Sequence, residues 1–417
     1  MPKPPIDSDR LWNDLMALAA ITDPAKPYTR RSFSPLFLKG REWLKARFEE
    51  AGLTVRLDEA ANLIGRLEGS VADAPTIMLG SHSDTVPSGG RFDGPAGVLA
   101  GLEMVRAMKT AGYRPRHTIE IVDFLAEEPS EYGLSCVGSR GMAGVLDDKM
   151  LAYTNATGEK LSDAINRVGG DVAHLDRARR SDIAGYLELH IEQGVVLQNN
   201  RIDLGLVTAI VGITRIDVVF EGAADHAGTT LMEYRRDASL AASQLMLFVN
   251  EQAKAFAARK QGHFVATTGV LNIEPNASNV GPGLARLVFD IRAEDHAMIG
   301  EFLGALDAES QAIAERTKVK RAQYNVLSST KPTICDRHLL DLLKRGAEAL
   351  GLSTMQLASG AGHDAAFVAR IAPSAMLFIP CRDGKSHAPE EWTEKDQVAA
   401  GAATLFEAVR LVDGRNE

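Results

Sequence analysis

Five short stretches of this 417-residue chain carry imidazoles and carboxylates in groupings that can bind metal ions. They are GSHSD with His82 and Asp84, GGRFDGPAG with Asp93, LAEEP with Glu127 and Glu128, LELHIEQ with His190, Glu192 and Gln193, and GKSHAPEE with His387. Imidazole and carboxylate ligands without thiolate suit zinc, manganese, cobalt or nickel. Three histidines and two carboxylates can hold two ions if one carboxylate is shared, and Asp93 is the candidate bridge. Two ions roughly 3.5–4 Å apart can together activate a water and polarise a carbonyl oxygen. The attacking water also needs a base, and a carboxylate that is not itself a ligand can serve. Neighbouring side chains diverge, so one member of the Glu127–Glu128 pair can coordinate while the other faces the nucleophile. Asp84, two residues past His82, is placed to orient that imidazole.

Taken singly, each stretch has an ordinary reading. A histidine at a strand end is usually structural, and a glutamate pair is usually a solvated face. GGRFDG lacks the glycine spacing of a phosphate loop. His363, in SGAGHDA, reads as part of a turn opening a helix and is not counted among the ligands. The weight lies in the joint pattern, because the elements that carry the clusters can bring them together. TIMLGS is apolar and strand-sized, HTIEIVDFLAEE reads as a second strand, and GYLELHIEQG and SAMLFIPC read as two more. Between the first two lies PAGVLAGLEMVRAMKTAG, a helix with Val98, Leu102, Val105 and Met108 at helical spacing, Pro95 at its start and Gly112 at its stop. Strands alternating with helices predict an α/β domain with a mostly parallel sheet. The clusters fall at or just after the ends of its strands, and in such sheets ligands bind in the crevice beyond those ends.

A different rhythm begins near Gly212. TRIDVVFEG alternates, with Ile216, Val218 and Phe220 on one face, and a helix opens at about Asp237. FVATTGVLNIEP and ARLVFDIRAE read as strands joined by a turn containing Asn279, Gly281, Pro282 and Gly283. A helix after Asp295 and the strand KVKRAQYNVLS complete the order β-α-β-β-α-β, the ferredoxin-like pattern. The expectation is therefore a catalytic α/β domain over residues 1–211 and 329–417, interrupted by a small inserted domain over 212–328. The α/β domain resumes with a helix at about Leu339 to Leu350.

Bulk properties narrow the class. Two domains suit this length. Hydrophobic residues make up 45% and charged residues 24%, an ordinary globular composition. The net charge of -9 is spread along the chain with no basic stripe, which argues against nucleic acid as a partner. Cys136, Cys335 and Cys381 are too few and too far apart for a disulfide framework and fit a reducing cytoplasm. The opening MPKPPIDSDRLWNDLMALAAI holds only a short apolar run and reads as an amphipathic helix, so neither a signal core nor a membrane partner is expected.

The motifs GSHSDTVPSGGRFDGPAGVLAGLE, FLAEEPSE, ELHIEQG, DHAGTT, NVGPG, DIR, SGAGHDA and GKSHAPEE run in one order from about residue 80 to 392. In that set the chain resembles metal-dependent amidohydrolases of the M20 type. Its nearest likeness there is the hydantoinase/carbamoylase branch, with its N-carbamoyl-L-amino acid hydrolases, β-ureidopropionases and allantoate amidohydrolases. The resemblance implies that His82, Asp93 and His190 hold one divalent ion, that Asp93, Glu128 and His387 hold the other, and that Glu127 is the general base. It also implies that Gln193, His226, Asn279, Arg292 and the backbone around Gly362 bind substrate. The inserted domain becomes a lid and dimer interface in a homodimer, with His226 lent to the neighbouring subunit's site. The implied substrate is a small ureido or amide compound carrying a carboxylate: first an N-carbamoyl-L-amino acid, then allantoate or another ureido acid, then a dipeptide or N-acyl amino acid. The rival of a different class is a binding protein without catalysis on the same fold. The chain departs from many family members after the glutamate pair, continuing PSEYGLSCVGSR where a glycine and an arginine-containing stretch are common.

Overall fold

The computed structural model describes residues 4–414. It divides into two compact units, one of residues 1–208, 335–357 and 363–417, the other of residues 209–334 and 358–362. Strands are numbered in chain order. The first six are β1 (Thr54–Leu57), β2 (Leu63–Leu67), β3 (Thr76–His82), β4 (Ile119–Phe124), β5 (Ile183–Ile191) and β6 (Leu204–Ile210). The next four are β7 (Gly212–Glu221), β8 (Phe264–Glu274), β9 (Leu284–Ala293) and β10 (Lys320–Ser329). The last three are β11 (Thr333–Ile334), β12 (Thr354–Ser359) and β13 (Ser374–Ile379).

The larger sheet runs β1-β2-β4-β3-β5-β13-β6-β11, with β12 also on β6. Its centre, β4-β3-β5-β13, is parallel throughout, and antiparallel strands close it on both sides. All seven residues of β3 and all six of both β4 and β13 are buried. Strands buried along their whole length are what a sheet covered on both faces requires. The helix Pro95–Thr110, with Val98, Leu102, Val105 and Met108 at helical spacing, packs on β3. It is buried on nearly every side, because the helices Ser8–Ala19 and Lys395–Val412 pack against it. The antiparallel β1–β2 pair and the strands β6, β11 and β12 went unforeseen. β1 is short and mostly exposed, and it carries no apolar periodicity to read.

The second unit is a four-stranded antiparallel sheet in the order β10-β7-β9-β8, with helices Ala238–Ala258 and His296–Arg316 packed against it. This is the ferredoxin-like βαββαβ arrangement. Ile216, Val218 and Phe220 of β7 are fully buried against Leu245, Val249 and Phe302 of the helices. Asp237 and Asp295 cap the two helices by accepting backbone N–H bonds from Ser239, Leu240 and Ala297. Among the described residues no helix is long and apolar enough to cross a membrane.

Candidate metal centre

Five segments of the larger unit bring their polar residues together. His82 ends β3, His190 lies one residue before the end of β5, and Glu127 and Glu128 follow β4. The backbone of 125–127 is pinned by N–H bonds from Gly138, Val137 and Cys136 to the carbonyls of Leu125, Ala126 and Glu127. Asp93 sits in the loop before the helix that starts at Pro95. Gly94 follows it at φ +83, and a Cβ there would lie 2.5 Å from the His82 ring, so only glycine lets the loop close over that histidine. His387 lies well beyond the end of β13, farther from its strand than the sequence suggested.

The tautomers of two histidines follow from their partners. His82 Nδ1 lies 3.1 Å from the Asp84 carbonyl and His190 Nδ1 2.9 Å from the Ile191 carbonyl. A carbonyl only accepts, so each Nδ1 carries a proton, and in the neutral ring each Nε2 presents a lone pair. Both Nε2 atoms are buried and have no hydrogen-bond partner. Both nonetheless approach Asp93 Oδ1, at 3.5 Å from His82 and 3.2 Å from His190. On the other oxygen, His387 Nε2 is 3.3 Å from Asp93 Oδ2 and 3.4 Å from Glu128 Oε1. Two ligand atoms about 2.0–2.1 Å from one tetrahedral ion stand about 3.4 Å apart. The four spacings match that value, and they define two groups, His82/Asp93/His190 and Asp93/Glu128/His387, that share Asp93. A further set, Glu188/His190/His363, is close enough to be compared. Glu188, however, already accepts from Ser81 Oγ, Tyr186 OH and Ala365 N, so three of its roughly four lone-pair positions are committed.

Electrostatics point the same way. Asp84, Asp93, Glu127 and Glu128 are buried, and among the described residues no lysine or arginine pairs with any of them. Burial pushes Glu127 well above the usual carboxylate range, and burial together with the Asp93 charge brings Glu128 up to about 7. Burial also works against the charge on Asp93, yet the imidazoles of His190, His387 and His82 hold it well below the usual range. His387 rises to about 9, chiefly through its contact with Asp93. Buried carboxylates need a compensating cation, and bare imidazole nitrogens aimed among them are the donors a divalent ion takes. The residues present therefore fit a metal centre.

Several details differ from the sequence reading. Asp84 meets His82 Nδ1 through its backbone carbonyl at 3.1 Å, and its carboxylate lies 3.5 Å from the same nitrogen while accepting the Glu127 N–H at 3.2 Å. Glu192 caps the short helix Val196–Asn200 by accepting from Val196 N and Leu197 N. Gln193 turns its amide nitrogen to Asp93 Oδ2 at 2.7 Å and leaves Oε1 buried without a partner. Ser386 and Glu391, both in the GKSHAPEE stretch, went unremarked although they contact Asp93; His387 alone drew attention there.

The remaining predicted residues lie in the second unit. His226 Nδ1 accepts from Gly228 N at 3.1 Å and Thr229 N at 3.2 Å, and the side chain is exposed. Asn279 is held beside it, its carbonyl accepting from Ala227 N at 2.9 Å. Arg292 donates through Nε to Asp290 at 2.7 Å and through Nη1 to the Gly360 carbonyl, also at 2.7 Å. Gly362, two residues on from Gly360, is exposed.

With this geometry in hand, comparison with known proteins defines the class. The sequence profile of peptidase family M20/M25/M40 matches residues 78–411, and the chain belongs to that family. It is 37% identical over 407 residues to an N-carbamoyl-L-amino acid amidohydrolase of Geobacillus stearothermophilus, covering 97% of this chain and 98% of that one. A ureidoglycolate hydrolase of Arabidopsis thaliana is 34% identical over 410 residues, covering 96% and 85% of the two chains. An amidase of the hydantoinase/carbamoylase family from Burkholderia multivorans superimposes with a TM-score of 0.90 at 34% identity, covering 99% of each chain. Within the M20 family the chain is of this hydantoinase/carbamoylase branch.

Proposed function

We propose that the protein is a two-metal amidohydrolase that cleaves a linear C–N amide bond, with N-carbamoyl-L-amino acids as substrates and the amino acid, ammonia and carbon dioxide as products. The observation that carries the reading is the pair of ligand groups joined at Asp93, with Glu127 beside them and outside both. Two divalent ions, zinc, manganese, cobalt or nickel, would polarise the scissile carbonyl and acidify the attacking water. His82, Asp93 and His190 would hold one and Asp93, Glu128 and His387 the other. Glu127 takes the proton of the attacking water and returns it to the departing nitrogen. Gln193 Oε1, buried and without a partner, is available to an N–H of the ureido group. His226 donates to the oxyanion, and Asn279, Arg292 and the backbone at Gly362 receive the rest of the substrate. The reading includes a cytoplasmic homodimer in which the second unit is both lid and interface.

A second reading, a ureido acid such as allantoate as substrate, draws on the likeness to the Arabidopsis thaliana ureidoglycolate hydrolase. A screen of the metal-loaded protein over N-carbamoyl amino acids, allantoate, N-acetyl amino acids and dipeptides tests both, reading ammonia for the first two and freed amino acid for the last two. Ammonia from N-carbamoyl-L-amino acids foremost is the expected result. Turnover confined to dipeptides or N-acetyl amino acids would refute the reading.

Arg292 supplies a specificity test. Its Nε and Nη1 contacts with Asp290 and Gly360 fix the guanidinium and leave donors for a substrate carboxylate. Arg292→Lys cannot keep that fork. Loss of one charge-assisted bond should raise KM about tenfold to a hundredfold. A substrate amide lacking the α-carboxylate should show a smaller change. Equal effects on both substrates would show that Arg292 does not read the carboxylate.

A further inference from the structure

The two oxygens of Asp93 are dressed differently. Oδ1 faces His82 and His190, each only 1% exposed. Oδ2 faces His387, whose side chain is 50% exposed, and accepts from both Gln193 Nε2 and Ser386 Oγ at 2.7 Å. Ser386 is in turn braced. Its hydroxyl lies 2.9 Å from Glu391 Oε2 and accepts from Gln193 Nε2 at 3.2 Å. Glu391 is fully buried, and its Oε1 accepts the backbone N–H groups of Phe92 at 2.8 Å and Asp93 at 3.1 Å. Gly90 makes room for it, since a Cβ there would fall 1.9 Å from the Glu391 carboxylate. One carboxylate thus ties the loop that carries Asp93 to the segment that carries Ser386 and His387.

We propose that Ser386, braced by Glu391, is a positioning residue that holds Asp93 Oδ2 toward the Asp93/Glu128/His387 position, so that one carboxylate can serve both ion positions. The inference rests on the two-metal reading. A hydroxyl has one proton and stands here between two carboxylates. Its shorter contact assigns that proton to Asp93, which stops the carboxylate from rotating about its Cβ–Cγ bond. Oδ1 needs no such restraint, because two buried imidazoles already converge on it. The consequence is selective: loss of the hydroxyl loosens the position at His387 and spares the one between His82 and His190.

Zinc binding to the whole protein tests this, with ion content measured after dialysis and the affinity of each ion measured by competition with a chromophoric chelator. The wild type should bind two zinc ions per chain. Ser386→Ala should keep the first at unchanged affinity and bind the second about 10–100-fold more weakly, the usual cost of losing an outer-shell partner. Glu391→Gln should keep both. Its amide oxygen still accepts from Phe92 and Asp93, and its NH₂ donates to Ser386, leaving the serine proton for Asp93. Equal weakening of both ions in Ser386→Ala, or no weakening, would overturn the proposal. So would loss of the second ion in Glu391→Gln. A wild type that binds fewer than two ions would overturn the two-metal reading itself, and the inference with it.

Discussion

Glu127→Gln should lower turnover about 10²–10⁴-fold, the usual cost of losing a general base, while both metal ions stay bound. The glutamine keeps the size and hydrogen-bonding shape of the side chain but cannot take a proton. Glu127 Oε2 lies 3.6 Å from His82 Nε2, close to the first ligand group but not part of either. Among the described residues the one hydrogen-bond donor to its carboxylate is the Cys136 thiol, 3.6 Å from Oε1. A thiol is a weak donor, so the carboxylate keeps most of its basicity, and burial raises it further. Its neighbour Glu128 lies in the second group, 3.4 Å from His387, which supports the proposed division of the pair into base and ligand. Turnover assays alongside metal analysis check the division. Loss of metal from Glu127→Gln would show that the two glutamates have been assigned the wrong way round.

His226→Ala should cost about 10²–10³-fold in turnover with metal content unchanged, the range for removing one oxyanion donor. The motivation lies in the ring's hydrogen bonds. Nδ1 accepts two backbone N–H bonds and therefore carries no proton in the neutral ring, so the proton resides on Nε2 of an exposed side chain. Capping this turn and donating to a substrate are thus compatible: the cap selects the tautomer that can donate. The proposed homodimer places the donor in the partner's site, which would also tie turnover to lid closure. Subunit mixing tests that placement. His226→Ala and Glu127→Gln should each be nearly inactive alone, whereas a mixed dimer unites both lesions in one site and frees the other. Mixtures should then regain up to about half of wild-type activity per mixed dimer, within the limits of additivity between coupled residues. No recovery from mixed dimers shown to form would place His226 in its own subunit's site or in none.

Much of the fold was legible because burial is written into composition. β3, β4 and β13 are built around the apolar stretches 77–79, 121–122 and 375–379, and β7 alternates Ile216, Val218 and Phe220 toward its helices. β6 escaped notice for a physical reason. It ends at Ile210 and β7 begins at Gly212, so only Val211 separates them and no turn signal divides the run. At the site, residue types and order were enough to nominate the ligand set, because imidazoles and carboxylates at the ends of neighbouring parallel strands have little choice but to meet. Sequence cannot say which atom makes a contact. It named Asp84 as the residue that orients His82 without saying that its backbone carbonyl makes the nearest contact, and it passed over Ser386 and Glu391 because a serine and a glutamate beside a histidine look like loop residues. Gln193 was assigned to substrate alone, and the bond from its amide nitrogen to Asp93 Oδ2 depends on a backbone φ of +57 that no spacing rule foresees.

The account stands on one shared carboxylate, so metal content of Asp93→Ala is its most direct test. Asp93 is the only residue common to the two ligand groups, with one oxygen turned to His82 and His190 and the other to His387. Wild-type protein loaded with zinc and dialysed should retain two ions per chain, and Asp93→Ala treated identically should retain neither. His82→Ala should chiefly weaken one. An Asp93→Ala protein that keeps both ions would contradict the shared-ligand centre and the reaction built on it.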